Sequence, residues 1–212
     1  MLLETSSGDT YDTRERELPL DILSDGSSAI IRAYSENGDD PITLKVYPHS
    51  DEGSARCSFE QSILAALTGI ESIPVLSDSG ELLFPADERN VRFPFVAHQW
   101  IDGYSLNRII LSRTLMKSEQ IAYLGAHLSH TLLHMQDAPG GAIIHRDIKP
   151  ENILVQGPMD GINVIWLIDF DSAIRLGQDR YDRTLRGTPH YIAPEVFASP
   201  DNPSFYLSPL CE

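Results

Sequence analysis

Polar and charged positions dominate residues 1–20, and from Leu23 onward the chain turns to short apolar runs rich in β-branched side chains. Two such runs are Ala29-Ile30-Ile31-Arg32-Ala33-Tyr34 and Ile42-Thr43-Leu44-Lys45-Val46-Tyr47. The stretch between them, Ser35-Glu36-Asn37-Gly38-Asp39-Asp40-Pro41, is dense in turn formers, and the pattern predicts a β-hairpin. Phe59, Ile63, Leu64 and Leu67 then recur at helical spacing and predict an amphipathic helix over residues 52–67. Pro74-Val75-Leu76, Leu82-Leu83-Phe84 and Phe93-Pro94-Phe95-Val96-Ala97 are further strand candidates.

Asp102-Gly103-Tyr104 breaks this β-rich pattern before a helical half. Ile121, Leu124, Leu128, Leu132 and Met135 predict a helix with Ser118 as N-cap and Gly140-Gly141 as its stop. Ile153-Leu154-Val155 and Val164-Ile165-Trp166-Leu167-Ile168 read as strands, and after Glu195 the chain is rich in Pro and Ser without helical period. The expected organisation is a flexible lead-in over 1–20, a β-rich part over 21–100, a helical part over 101–195 and an irregular tail over 196–212.

With 212 residues, 42% of them hydrophobic and 22% charged, the chain can bury a sizeable core and is not disordered in bulk. Its 31 acidic and 16 basic residues give a formal charge of −15. That excess argues against nonspecific binding to nucleic acid or to an anionic membrane. Any site for a nucleotide must therefore gather local cations. Cys57 and Cys211 make neither a metal-ligand spacing nor a disulfide framework. The first residues lack a basic segment followed by an apolar one, and no apolar run approaches the roughly 20 residues of a membrane span. An intracellular protein, cytoplasmic or nuclear, is the expectation.

The chemistry is concentrated in His145-Arg146-Asp147-Ile148-Lys149-Pro150-Glu151-Asn152 and in Asp169-Phe170-Asp171. A lone Asp or Asn in a loop is usually a turn former, and a lone Lys a solvated charge. Together they offer an acceptor for a hydroxyl proton, oxygen ligands for a hard cation and a phosphate-facing amine. The run resembles the catalytic loop of eukaryotic-type protein kinases, and the triplet resembles their metal-binding segment. A second match, Gly187-Thr188-Pro189-His190-Tyr191-Ile192-Ala193-Pro194-Glu195, resembles the end of the kinase activation segment.

The resemblance implies an α+β, two-lobed protein-kinase-like fold, with residues 21–100 as a β-rich N-lobe and 101–195 as a partial helical C-lobe. It implies transfer of the γ-phosphoryl group of ATP, with Mg2+, to Ser or Thr hydroxyls of proteins. Asp147 would orient and deprotonate the hydroxyl, and Lys149 would stabilise the transferring group. Asn152 and Asp169 would hold magnesium, and Arg146 would meet a phosphorylated residue of the activation segment. Thr184 is a candidate for that residue; Ser172, or no regulation, fits as well. Thr188 would bond toward Asp147 and Lys149. Lys45 would contact the α- and β-phosphates, with Glu60 as its partner; Glu52 and Glu71 lie nearer the helix ends. Leu64, His145 and Phe170 would stack into an apolar spine, and backbone groups at Gln99, Trp100 and Ile101 would bond adenine.

Three departures stand out. Ser24-Asp25-Gly26-Ser27-Ser28-Ala29-Ile30-Ile31 aligns with the family's Gly-x-Gly-x-x-Gly-x-Val, yet only Gly26 survives, with Ile31 at the apolar place. Weaker ATP binding is expected, since glycine permits unusual dihedrals and close backbone approach. Asp171 stands where the family has Gly; Asp accepts left-handed geometry better than most residues, so the turn can still form. Beyond Glu195, whose Arg partner would follow, only Val196 to Glu212 remain, so the chain reads as a kinase domain truncated after Ala-Pro-Glu. Its helical part would then show an apolar underside, open to a covering partner. The competing reading is a non-catalytic, pseudokinase-like fragment that binds nucleotide or partners. A small-molecule phosphotransferase of the aminoglycoside kind shares the loop logic but lacks the Ala-Pro-Glu segment.

Overall fold

The computed structural model describes residues 2–14, 23, 26–36, 38, 40–86, 89–157, 164–177 and 187–193. The chain divides into two compact units, the first Met1–Ala65 with Val75–Trp100, the second Ala66–Pro74 with Ile101–Glu212. The stretch Ala66–Pro74, expected in the β-rich part, therefore belongs to the second unit: Ser72 O accepts from Leu167 N at 2.8 Å.

In the first unit, strands β1 (Leu2–Thr5), β2 (Thr10–Asp12), β3 (Ala29–Ser35), β4 (Pro41–Val46), β5 (Leu76–Ala86) and β6 (Arg89–Gln99) form a closed antiparallel barrel. Its order is β1-β2-β3-β4-β6-β5, with β1 closing on β5 through Glu4↔Leu83 and Thr5↔Leu82. Alternation fixes which side chains enter. In β3, Ala29, Ile31 and Ala33 point into the core while Ile30 and Arg32 point out. The expected hairpin forms, running from Ala29↔Val46 to Tyr34↔Pro41. The strand candidates at 82–84 and 93–97 merge into the longer β5–β6 hairpin, because the polar run Asp78-Ser79-Gly80 continues the ladder instead of ending it. Helix α1 (Asp51–Ala66) buries Cys57, Glu60, Ile63 and Leu64.

Residues 2–12 correct the expectation of a flexible lead-in. Buried Leu3 and Thr5 alternate with exposed Leu2 and Glu4, and Tyr11 packs edge-on against Phe95 at 5.8 Å. A strand half exposed to water looks polar by composition; alternation, not average polarity, decides its place. The Tyr11 hydroxyl donates to Asp78, and burial together with that acidic partner pushes its pKa up.

The second unit holds β7 (Tyr104–Ser105), α2 (Leu106–Leu111), α3 (Ser118–Gln136), β8 (Ile143–Ile144), a 3-10 turn (Pro150–Asn152), β9 (Ile153–Gln156), β10 (Val164–Leu167) and β11 (Ile174–Arg175). Its sheets are β10-β9-β7 and β11-β8. The short helix α2, absent from the sequence reading, is capped by Ser105 Oγ accepting from Arg108 N at 3.2 Å. Helix α3 begins one residue earlier than expected. Lys117 is its N-cap, and Gln120 Oε1 accepts the Lys117 backbone N–H at 2.7 Å. Its apolar face is only partly covered among the described residues: Thr131 and Met135 are buried, whereas Ile121 is 58% exposed. No described helix is long and apolar enough to cross a membrane.

Leu3→Ala should cost about 2–5 kcal/mol by emptying a barrel core site. Urea unfolding checks it; an unchanged midpoint would return residues 2–12 to the status of a mobile lead-in.

Candidate functional site

Within the first unit, β4 and α1 bring Lys45 and Glu60 together. Lys45 Nζ donates to Glu60 Oε2 at 2.7 Å, with side-chain exposures of 4% and 2%. Desolvating both charges is tolerable only because each neutralises the other. The Tyr47 hydroxyl also donates to Glu60 Oε2. Tyr47 lies two residues after Lys45, one past the end of β4, and its N–H still bonds Pro94 O at 2.8 Å, so extended backbone alternation delivers both side chains to Glu60. Nearby Cys57 has its thiol pKa pushed up to about 12, by burial first and by the Glu60 charge second, against a lowering from Lys45. It is a neutral packing group, not a nucleophile.

The register corrects one sequence assignment. Ile30 pairs with Lys45 and Ile31 with Leu44. Directly paired residues share a sheet face, so Ile30, 61% exposed, stands on the Lys45 side with Val96, while Ile31 sits in the barrel core with Leu44 and Ala97. A shift of one residue exchanges the faces, and the degenerate glycine pattern gave no anchor to fix it. Gly26 adopts φ +83° with open space where a Cβ would stand, so its dihedral, not close packing, calls for glycine. Arg56 Nη1, on α1, donates to the Gly26 carbonyl at 3.1 Å. Gln99 N donates to Val75 O at 2.9 Å, which removes that N–H from the donors expected to meet adenine. The Trp100 ring lies 4.9 Å from the Arg32 guanidinium.

Within the second unit, the loop between β8 and the 3-10 turn carries Asp147. Three side chains converge on its carboxylate. Thr188 Oγ1 donates to Oδ1 at 2.8 Å, Lys149 Nζ to Oδ2 at 2.7 Å and Asn152 Nδ2 to Oδ2 at 3.1 Å. Asn152 Nδ2 also donates to the Asp147 carbonyl at 2.9 Å, and its amide oxygen takes part in neither bond. Lys149 Nζ donates to Thr188 Oγ1 at 2.9 Å, closing the circuit. Burial alone would raise the Asp147 pKa; the hydrogen bonds from Lys149 and Thr188, the Lys149 charge and the Asn152 bond outweigh it, and the net direction is down.

The backbone around this carboxylate is unusual. Arg146 and Asp169 adopt φ +65° and +66°, a region non-glycine residues rarely enter. Gly187 has φ +114°, and a Cβ there would stand 2.6 Å from the Arg146 carbonyl. Glycine thus lets the segment carrying Thr188 close over the loop. Asp169 comes two residues after the end of β10: the intervening Ile168 N donates to Asn152 O at 3.0 Å, which sets the two candidate metal ligands beside the ends of adjacent strands. The left-handed residue of the triplet is Asp169 and not Asp171, so the Gly-to-Asp exchange meets no dihedral demand. His145 is fully buried, accepts at Nδ1 from Asp147 N at 3.3 Å and so donates from Nε2 to Ile168 O at 3.1 Å. Its ring meets Phe170 edge-on at 4.9 Å, while Leu64 lies in the first unit. Arg146 Nε donates to Ser172 O at 2.6 Å. Thr184 and Glu195 lie outside the described residues.

Sequence reasoning missed that Ile30 and Val96 share the face of Lys45, which only strand register reveals, and that Tyr47 bonds Glu60. Among the described residues, no three His, Cys, Asp or Glu side chains gather as a ready-made metal cluster. The oxygens of Asn152 and Asp169 are instead the hard donors suited to a cation that keeps water and shares its shell with a ligand.

Comparison with known proteins gives the same direction. A family model described as protein kinase domain matches residues 25–205. Serine/threonine-protein kinase pkn3 of Myxococcus xanthus is 30% identical over 180 residues, covering 80% of this chain and 31% of that protein. Serine/threonine-protein kinase PknL of Mycobacterium tuberculosis is 27% identical over 180 residues, covering 82% of this chain and 41% of that protein. A probable myosin light chain kinase of Dictyostelium discoideum is 43% identical over 108 residues, covering 51% of this chain and 33% of that protein. The chain thus spans well under half the length of these curated relatives.

Lys45→Met should cost about 3–5 kcal/mol by leaving the buried Glu60 carboxylate without its countercharge, and the double variant Lys45→Met/Glu60→Leu should recover most of it. Equal losses in single and double variants, read by urea unfolding, would deny that the pair is coupled. A lowered native pKa means Asp147 contributes stability that is complete above the unfolded aspartate value of about 3.9 and is lost as pH falls through the native value. Thr188→Val should move the Asp147 titration upward, read by carboxyl-carbon NMR; an unmoved titration would show that Thr188 does not hold the anion.

Proposed function

The chain belongs to the protein kinase domain family, and on that premise we propose that it transfers the γ-phosphoryl group of ATP to Ser or Thr hydroxyls of protein substrates inside the cell. The observation that carries this reading is the Asp147 carboxylate held by Lys149, Thr188 and Asn152. A carboxylate offers about four lone-pair positions. Three are engaged, which leaves one on Oδ1 for a substrate hydroxyl.

The lowered pKa of Asp147 supports an orienting part for it. A weak base orients a hydroxyl by accepting its hydrogen bond and takes the proton late, which suits a loose transition state with little early bond formation to the nucleophile. Lys149, already beside that carboxylate, would place its charge next to the transferring group. Magnesium-bound ATP would supply the phosphoryl group and neutralise charge on it. Each unit holds groups of a kind that suits such a ligand: Asn152 and Asp169 in the second offer hard oxygens, and Lys45 in the first, fixed in direction by Glu60, offers a cation for phosphate. Ser/Thr specificity is supported by Lys149 two places after Asp147 and by Thr188 bonded to both.

A second reading, a nucleotide- or partner-binding protein without transfer, draws on one observation. Of the glycine pattern only Gly26 remains, and Ala29 at the third glycine position is a buried core residue.

Autophosphorylation and a thermal-shift titration with Mg·ATP separate the two. Transfer predicts phosphate incorporation that falls about 10²–10⁴-fold in Asp147→Asn, the span usual for a general-base residue. A thermal shift with no incorporation in the native chain would select the binder.

A further inference from the structure

On the exposed side of α3, one turn apart, stand His130 and His134. Their Nε2 atoms face each other at 3.2 Å, with ring centroids 4.4 Å apart and planes at 80°. Residues four apart are neighbours on a helix surface, and among the described residues neither ring bonds a carboxylate or a backbone carbonyl. Two neutral imidazoles meeting nitrogen to nitrogen satisfy only one lone pair: one Nε2 must carry the hydrogen and the other accept it.

Replacing that hydrogen by a cation satisfies both. Metal–imidazole bonds of about 2.0–2.1 Å spanning this gap would subtend roughly 100–106°, near the tetrahedral preference of zinc. We propose that His130 and His134 form a two-imidazole site for a borderline transition-metal ion such as Zn2+ or Ni2+, on the outer surface of α3. Water completes the coordination shell, since no third His, Cys, Asp or Glu gathers there among the described residues.

The chemistry separates this site from that of Asn152 and Asp169. Imidazole selects zinc, nickel and copper, while oxygen donors select magnesium. The inference stands on the helix spacing and the nitrogen geometry alone, and does not rest on kinase activity. Occupancy would staple one turn of α3, because binding to the folded pair stabilises the native state by mass action.

The test uses the untagged full chain with excess Mg2+ present, titrated with Zn2+ and separately with Ni2+ by calorimetry. One ion per chain is expected, with a rise in thermal midpoint and with perturbed imidazole NMR signals of both residues. His130→Ala and His134→Ala should each weaken binding about tenfold or more, at least what loss of a mere outer-shell partner costs. Both side chains are exposed, so the variants should keep the native circular dichroism spectrum. His49→Ala, in the first unit, serves as the control and should bind as the native chain does. Absence of binding, or binding that persists in both single variants, overturns the proposal and leaves the pair as a surface hydrogen bond.

Discussion

A carboxylate withdrawn from water must be given partners or it will take a proton, and the second unit is organised around that demand at Asp147. Its partners come from separate stretches of sequence: Lys149 and Asn152 from the same loop and 3-10 turn, Thr188 from a segment reached only after β9, β10 and β11. Each bond is charge-assisted, the stronger kind of protein hydrogen bond. The left-handed backbone at Arg146 and the glycine at 187 accompany this convergence. They let two loops approach closely enough to share one anion.

The first unit obeys the same rule with signs reversed. There the group in need is Lys45, whose amine would lose its charge in an apolar interior unless paired. Glu60 supplies the countercharge and Tyr47 occupies the same oxygen. The pair is neutral overall, so the unit keeps a directed cation without a net buried charge. This also reconciles the site with a chain of charge −15. Exposed charges are screened beyond a Debye length of about 10 Å at 0.1 M salt, whereas buried pairs are not. Local arrangement, not the total, governs what each unit can hold.

What the sequence made legible were features set by spacing within one segment. The loop from His145 to Asn152, the helix bearing Glu60 and the β3–β4 hairpin depend on residues close in the chain, and their patterns carried through to the structure. What escaped depended on pairing between distant segments. Leu3 and Tyr11 look like parts of a polar lead-in until β1 closes on β5. Ile30 and Ile31 are interchangeable apolar residues until Lys45 and Leu44 across the ladder decide which faces which way. Helix α2 was hidden because one turn and a half gives too few residues for a period to show.

The eroded glycine pattern can be understood from the same contacts. Glycines in a phosphate-facing loop confer both access and mobility, and this chain has kept one position with a left-handed dihedral, Gly26. Ala29, at another, is committed to the barrel core opposite Val46. At Gly26 itself there is a tether. The Gly26 carbonyl is held by Arg56, whose guanidinium lies 5.6 Å from the Tyr47 ring. Tyr47 in turn bonds Glu60, and Glu60 bonds Lys45. One run of contacts therefore links the loop, helix α1 and strand β4.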